Sequence, residues 1–185
     1  GTGNGGYTFE GPFAADNPLK LTISTGTVRL AGDDPIALGP TLVTGTAANQ
    51  GGTLFLDGAA DVSFGTDSIF LGNASATTPK VRAKMIVSNS YLHATCGSSL
   101  ANKTGVLWVG HRAPGLLCIE EGSIVSNGLA VGGAPYAYEK GASYADVGAV
   151  SQRGGTVYPR STSSVGSGYH GYYELLGGTL SGVLP

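Results

Sequence analysis

The sequence has few charged residues. They make up 12% of its 185 residues, about half the share that is usual in soluble domains. The net charge is −2 and no stretch is rich in lysine or arginine, so the electrostatic footprint of a nucleic-acid-binding protein is missing. The apolar runs are also far too short to cross a bilayer. We therefore expect no nucleic-acid partner and no membrane insertion.

Cysteine is scarce as well, with only Cys96 and Cys118. Two cysteines exclude a disulfide-stapled scaffold, and these two lack the CxxC or His-x-Cys spacing of metal sites. If neighbouring repeats bring them together, they could form a disulfide, provided that their Cα atoms lie within about 7 Å. Two free thiols packed as small apolar groups are the equal alternative.

Glycine, in contrast, is abundant, at 32 of 185 residues, against an ordinary share of about 7%. Hydrophobic residues make up 41% of the chain, which excludes a disordered polar tract. Leucine, valine, isoleucine and alanine alternate with glycine, serine and threonine. This mixture is typical of many short strands that are separated by tight turns.

A glycine-containing phrase recurs along the chain, which is the mark of a repeat architecture. Its copies are GTVRLAG from Gly26, GGTLFLDG from Gly51, GSIVSNG from Gly122, GGTVYP from Gly154 and GGTLSG from Gly177. The first two copies are 25 residues apart and the last two are 23 apart. We therefore predict a repeat of about 22 to 25 residues, interrupted by a loop insertion at 134–145.

Within the repeats, apolar residues alternate with polar ones, as they do in half-buried strands. Residues 81–96 lie in the longest stretch without glycine or proline, and the alternation of Met85, Val87 and Tyr91 predicts two strands there rather than a helix. Short strands in such repeats favour an all-β parallel β-helix of about seven or eight turns. Glycine would form its corners, where a positive φ is needed. The alternative is an antiparallel sandwich with glycine-rich hairpins.

Two pairs of segments resemble a known group of proteins. GNGGYTFEGPF followed by LKLTISTGTVRLAG looks like the passenger repeats of bacterial autotransporters. VGAVSQRGGTVYP and GYYELLGGTLSG are similar to the autotransporter-associated β-strand repeats of very large bacterial surface proteins. The resemblance implies a single right-handed β-helix domain over residues 1–185, secreted or displayed on the cell surface. Because no basic and apolar leader begins the sequence, we expect a processed chain or a fragment.

Tyrosines cluster in two places, and they are the candidate binding residues. The first group lies in the predicted insertion and the second near the last repeat: Tyr136, Tyr138 and Tyr144, then Tyr169 and Tyr172. Tyrosine offers a flat apolar ring and a hydroxyl, which suits contact with glycans or with other protein segments. The alternative is that the insertion folds back and its tyrosines cover a sheet.

Candidate catalytic and metal-binding groups are few. None of His93, His111 and His170 stands at metal-ligand spacing from another histidine, so we predict no metal, no cofactor and no catalytic residue. Arg82 and Lys84 are two residues apart and would project from one strand face, opposite Met85. They are the nearest approach to the basic patch of a polysaccharide lyase.

These observations lead to a functional hypothesis with one alternative. The chain is expected to be a non-catalytic structural or adhesive segment of a secreted or surface protein. The alternative is part of a β-helix lyase or hydrolase that acts on acidic glycans. Because the uncapped ends of a β-helix expose unpaired strand edges, end-to-end self-association is a further expectation.

Overall fold

The computed structural model describes residues 6–44, 51–72, 82–99, 102, 104–111, 113–132, 147–160, 163–166 and 170–182. Over these ranges the regular structure consists of strands and contains no helix. Within the same ranges, no helix has the length and apolarity that a membrane crossing requires. The predicted all-β class is confirmed.

The described ranges contain seventeen short strands: β1 (Gly6–Phe9), β2 (Leu19–Ile23), β3 (Thr27–Gly32), β4 (Ile36–Val43), β5 (Thr53–Ala59), β6 (Val62–Phe64), β7 (Ile69–Leu71), β8 (Ala83–Ser88), β9 (Tyr91–Ala94), β10 (Val106–Val109), β11 (Gly115–Ile119), β12 (Ile124–Val131), β13 (Val147–Gln152), β14 (Thr156–Pro159), β15 (Ser164–Val165), β16 (His170–Leu175) and β17 (Thr179–Leu180).

Seven of these strands form sheet A, in the order β1-β3-β5-β8-β11-β13-β16. Every neighbouring pair in this sheet is parallel. Residues that are Cα partners in successive strands therefore form a column along the sheet. One column runs through Tyr7, Val28, Leu54, Met85, Leu117, Val150 and Tyr173.

Sheet B contains the other ten strands, and its pairings are parallel too. Two long strands, β4 and β12, each pair with different strands along their length. The beginning of β4 pairs with β6 and its end pairs with β7. Sheet B is therefore divided along the strand direction. Its first half contains β6, β9, β14 and β17, and its second half contains β7, β10 and β15. With parallel pairing throughout both sheets, the antiparallel sandwich is excluded.

The core lies between the sheets and is made of inward columns. Leu30, Leu56, Val87 and Ile119 are successive partners in sheet A, and all four are fully buried. Ile36, Val62 and Leu92 form the matching column in the first half of sheet B and are equally buried. Stacking one branched or linear apolar side chain on the next gives dense packing with few voids.

Glycines occupy the corners at which the chain turns from sheet A into sheet B. Gly155 and Gly178 precede β14 and β17 with φ of 67° and 79°. A Cβ atom added at Gly178 would lie 2.3 Å from the carbonyl oxygen of Gly155. The position therefore needs glycine both for its backbone conformation and for the close approach of the neighbouring corner. The predicted role of the glycines at the corners is confirmed here.

The predicted repeat length is wrong for the middle of the chain. Sheet A partners are 21 residues apart from Gly6 to Thr27 but 32 apart from Lys84 to Leu116. The recurring phrase also combines two kinds of strand, because the copies at Gly26 and Gly51 form β3 and β5 of sheet A whereas the three later copies form β12, β14 and β17 of sheet B. Strand pairing fixes only the paired residues, so the connecting segments vary in length without disturbing the columns.

The two strands predicted in residues 81–96 are confirmed as β8 and β9. The predicted alternation across them is wrong at Tyr91. Asn89, with a φ of 46°, lies at the corner between the strands, and the side that faces the core changes there. Leu92 is therefore the buried residue of β9, and Tyr91 lies on the outer face.

Candidate functional site

Of the five predicted binding tyrosines, one lies in the described part of the chain. Tyr172 projects outward from β16, with 58% of its surface exposed. Its hydroxyl donates a hydrogen bond of 3.4 Å to Oε1 of Glu174. Tyr136, Tyr138, Tyr144 and Tyr169, together with the predicted insertion at 134–145, lie outside the described residues.

Of the predicted basic pair, Arg82 is exposed just before β8, and Lys84 lies where the alternation of β8 places it. Lys84 is half-buried on the outer face of sheet A and Met85 is fully buried beneath it, which confirms that the two side chains point to opposite sides. The strand neighbours of Lys84 are Thr53 and Leu116. Neither strand neighbour is a carboxylate, so the strands on the two sides of β8 place no acid directly beside Lys84.

A different set of side chains meets on the outer face of the first half of sheet B. Nε2 of His93 lies 2.8 Å from Oδ1 of Asp61, and the ring of Tyr91 stacks on the imidazole with centroids 4.6 Å apart and an interplanar angle of 13°. Ser63 and Ser126 are the strand neighbours of His93 on its two sides. We call these five residues the histidine face.

The local sequence explains why these groups meet. Asp61 immediately precedes β6, and Ser63 lies two residues later on the same side of the strand. Tyr91 and His93 alternate in β9 in the same way, with Leu92 pointing into the core between them. Parallel pairing of β6 with β9 then places the two polar pairs side by side.

The geometry of the histidine face fixes the orientation of the imidazole. A carboxylate accepts hydrogen bonds, so the Nε2 of His93 is the donor and its Nδ1 is the second polar atom of the ring. The side chain of His93 is 20% exposed and that of Asp61 45%, so both groups are reachable from solvent. An oriented histidine beside a tyrosine can accept or donate a proton, and the two serines add hydroxyl groups that bind polar ligands.

The histidine face contains one carboxylate, whereas glycoside hydrolysis ordinarily uses two. Among the described residues, no three histidine, cysteine, aspartate or glutamate side chains converge as metal ligands. The face is therefore better equipped for hydrogen bonding and ring stacking than for hydrolysis. Two exposed apolar residues extend it along the same outer surface, Ile124 on β12 and Tyr158 on β14.

Sequence reasoning missed the histidine face. It found His93 at no metal-ligand spacing from another histidine, assigned it no partner, and did not single out Asp61. The two residues are 32 positions apart, which is longer than the predicted repeat of 22 to 25 residues. The register between β6 and β9 was the missing information. It places Ser63 opposite His93 and thereby brings Asp61, two residues before Ser63, next to the same histidine.

An aromatic cluster lies on the outer side of the second half of sheet B. Phe70 and Trp108 are strand partners whose rings stack with centroids 6.2 Å apart, and the imidazole of His111 packs edge-on against both. Trp108 and His111 are buried. The sequence alone did not reveal the aromatic neighbours of His111.

Both cysteines are free, so the disulfide alternative is wrong. Cys118 lies on the outer face of sheet A with Ile86 and Ser151 as strand neighbours, whereas Cys96 follows β9 and donates its S–H to the carbonyl of Gly65 at 2.9 Å. The thiols thus belong to different sides of the fold. Burial raises the pKa of the Cys118 thiol, and nearby Lys84 partly offsets that rise, so Cys118 behaves as a small packed apolar group.

No family model, curated protein or solved structure matches this chain.

Proposed function

We propose that this chain is a segment of right-handed parallel β-helix whose work is structural or adhesive and not catalytic. One observation carries the proposal: the seven strands of sheet A stack in parallel, and their inward residues form unbroken columns. Such a stack is a stiff rod, because each layer is tied to the next by a full ladder of backbone hydrogen bonds.

The path of the chain supports coiling. Between each strand of sheet A and the next, the chain passes through strands of sheet B. A parallel pair joined by such a crossover is right-handed in about 98% of cases, which favours the right-handed form. With a strand spacing of about 4.8 Å, seven layers extend about 30 Å along the axis.

The proposed location follows from the resemblance to autotransporter passengers and autotransporter-associated repeats. Those regions are exported and displayed outside bacterial cells. A low content of charge and a high content of glycine fit the corners and columns of the same architecture. We accordingly place this segment in a secreted or cell-surface protein, where it spaces or presents another unit or itself contacts a surface.

Contact with glycans through the tyrosine-rich regions is the sharper form of the proposal. It is tested on a glycan array with three forms of the chain: the full chain, a form lacking residues 134–145, and Tyr172→Ala. Both changes should reduce binding at least severalfold, whereas Tyr158→Ala, which removes another exposed tyrosine from sheet B, should not. If the full chain binds no glycan, or if all forms bind equally, glycan contact through these tyrosines is contradicted.

A second candidate, part of a β-helix lyase or hydrolase acting on acidic glycans, gains one supporting observation. His93, oriented by Asp61 and adjacent to Tyr91, is a set of groups capable of proton transfer. Incubation with uronate polymers in the presence of calcium should release unsaturated products if this candidate is right, and His93→Gln should abolish their release. If the full chain releases no unsaturated products, the result contradicts this candidate.

A further inference from the structure

The outer face of sheet A carries a group of apolar side chains. Phe55, Ile86 and Cys118 are partners in three successive strands, and their side chains point away from the core. Leu116 and Ala149 are partners in the neighbouring outer column. We call these five residues the apolar patch. Each has a described strand on both sides, and Phe55, Ile86 and Leu116 are only partly buried, so the patch leaves apolar surface in contact with water.

Charged side chains precede the apolar patch along the stack. Arg29 is the strand partner of Phe55 in the preceding layer. Its Nη2 lies 2.8 Å from Oδ2 of Asp57, and the two side chains are 40% and 36% exposed. A cation and an anion therefore lie side by side at this border of the patch.

Charged side chains also follow the patch. Glu174 continues the outer column of Cys118, and the exposed Arg153 comes directly after β13. Glu174 accepts hydrogen bonds of 3.4 Å from the hydroxyls of Ser151 and Tyr172. Both contacts are long for a hydroxyl donor, so this carboxylate can still accept closer hydrogen bonds from a cation.

The order of these charges is self-complementary. Arg29 lies two strands before β8 in sheet A, and Glu174 lies two strands after β11. Asp57 lies one strand before β8, and Arg153 follows the strand directly after β11. A twofold rotation about an axis between β8 and β11, parallel to the strands, therefore places Arg29 of one copy over Glu174 of the other. The same rotation places Asp57 over Arg153.

We propose that the outer face of sheet A binds the same face of a second copy of this chain, with the two stacks antiparallel. The apolar patches then cover each other, with Ile86 of each copy over Cys118 of the other, and four charges of alternating sign meet at each end of the contact. Such a contact is isologous, so it closes as a dimer. The inference goes beyond the proposed structural or adhesive role and uses only the strand pairings of sheet A.

The same residues disfavour a parallel arrangement of the two copies. An axis along the stack would place Arg29 opposite Arg29 and Glu174 opposite Glu174, because both belong to the central outer column. Like charges that face each other oppose association. In the antiparallel arrangement they meet opposite charges, and Lys84 faces Leu116 rather than another cation.

The size of the contact indicates a weak, reversible dimer. The strands of sheet A from β3 to β16, spaced by about 4.8 Å and each about 17 Å long, present about 500 Å² per copy. This area lies near the lower limit for specific interfaces. Apolar burial then supplies attraction, and the charges fix the orientation.

Sedimentation velocity of the full chain over a wide range of concentrations tests the proposal. The unmodified chain should form dimers that dissociate on dilution. Ile86→Lys places an unpaired charge in the middle of the apolar patch and should weaken the dimer at least about tenfold. Ile124→Lys is the matched control, because it makes the same change at an exposed position on the outer face of sheet B, and it should leave dimerisation unchanged.

Charge reversal tests the antiparallel orientation. Arg29→Glu and Glu174→Arg should each weaken the dimer at least about fivefold, because each places like charges opposite each other at both ends of the contact. An equimolar mixture of these two variants should dimerise as the unmodified chain does, because opposite charges meet again at both ends of the mixed dimer. Circular dichroism of each variant checks that its fold persists, and recovery in the mixture is an independent check.

A chain that stays monomeric at all concentrations would overturn the proposal, as would an Ile124→Lys variant that dissociates as readily as Ile86→Lys. Undiminished association of either charge-reversed variant, or a mixture that stays monomeric, would overturn the antiparallel arrangement. None of these outcomes depends on glycan binding or on product release. Failure of this contact is therefore distinguishable from failure of the proposed function.

Discussion

At the scale of single residues, the position in a column decides what a side chain contributes. Leu117 lies in the middle of an inward column between Met85 and Val150 and is fully buried. Leu176 follows β16 and is 62% exposed. The two residues are chemically identical, so a comparison between them isolates the effect of the column.

Leu117→Ala should lower the free energy of unfolding by about 2–5 kcal/mol, because it removes buried methyl groups and leaves a cavity that stacked neighbours cannot fill. Leu176→Ala should change it by less than about 0.5 kcal/mol. Urea denaturation followed by circular dichroism measures both. Equal losses in the two variants would mean that Leu117 does not lie in a packed column.

Tyr173 makes the folding stability of the last layers depend on pH in the alkaline range. Burial raises the pKa of Tyr173 to about 12, compared with about 10 in the unfolded chain. As pH rises from 10 to 12, the unfolded state loses the phenol proton while the folded state still keeps it. The contribution of Tyr173 to stability is therefore present below pH 10 and is lost through this range.

Tyr173→Phe should remove that part of the pH dependence. Because Tyr173 is only half-buried, the effect should be about 1 kcal/mol between pH 9 and 11 rather than the full value of the shift. At neutral pH the variant should be about 1 kcal/mol less stable, since Oε1 of Gln152 loses its donor. Stability curves of the two proteins that run parallel from pH 9 to pH 11 would contradict the assignment.

At the scale of elements, the corners set the geometry of the stack. The corner at Gly178 lies directly over the corner at Gly155, and both precede strands of sheet B that pair with each other in parallel. Close approach of the two backbones at the corner lets Thr156 and Thr179 become partners.

Gly178→Ala should destabilise the last layer by about 1–3 kcal/mol, because alanine resists a φ of 79° and its Cβ would collide with the carbonyl of Gly155. Gly97→Ala is the control, since a Cβ there meets no atom within 4 Å, and its φ is not positive. Hydrogen exchange of the amides of β16 and β17 reports the effect. Unchanged protection in the Gly178 variant would show that this corner tolerates a side chain.

Much at this scale could be predicted from sequence. Alternation around Cys118 and the absence of helix signals indicate short strands, and repeated glycines indicate corners. The register could not be predicted, because copies of the glycine phrase occur on two different sheets and connecting segments differ in length. The pairing of Asp61 with His93 depends on that register, so it was out of reach for the same reason.

At the scale of the whole molecule, the two parallel sheets present outer faces with different side chains. The histidine face lies on one side, and the outer face of sheet A, with Lys84 and Cys118, lies on another. The proposed spacing and adhesive roles depend on one geometrical property of a β-helix. Successive layers must advance by a constant distance along one axis.

Distances between spin labels test that property most directly. In a chain with both cysteines replaced by serine, labels are placed at Thr27 and at one of three outer positions in the same column, Leu116, Ala149 or Tyr172. The account predicts that the distance increases by about 4.8 Å with each layer, from three layers at Leu116 to five at Tyr172. Distances that fail to increase in this order would contradict it.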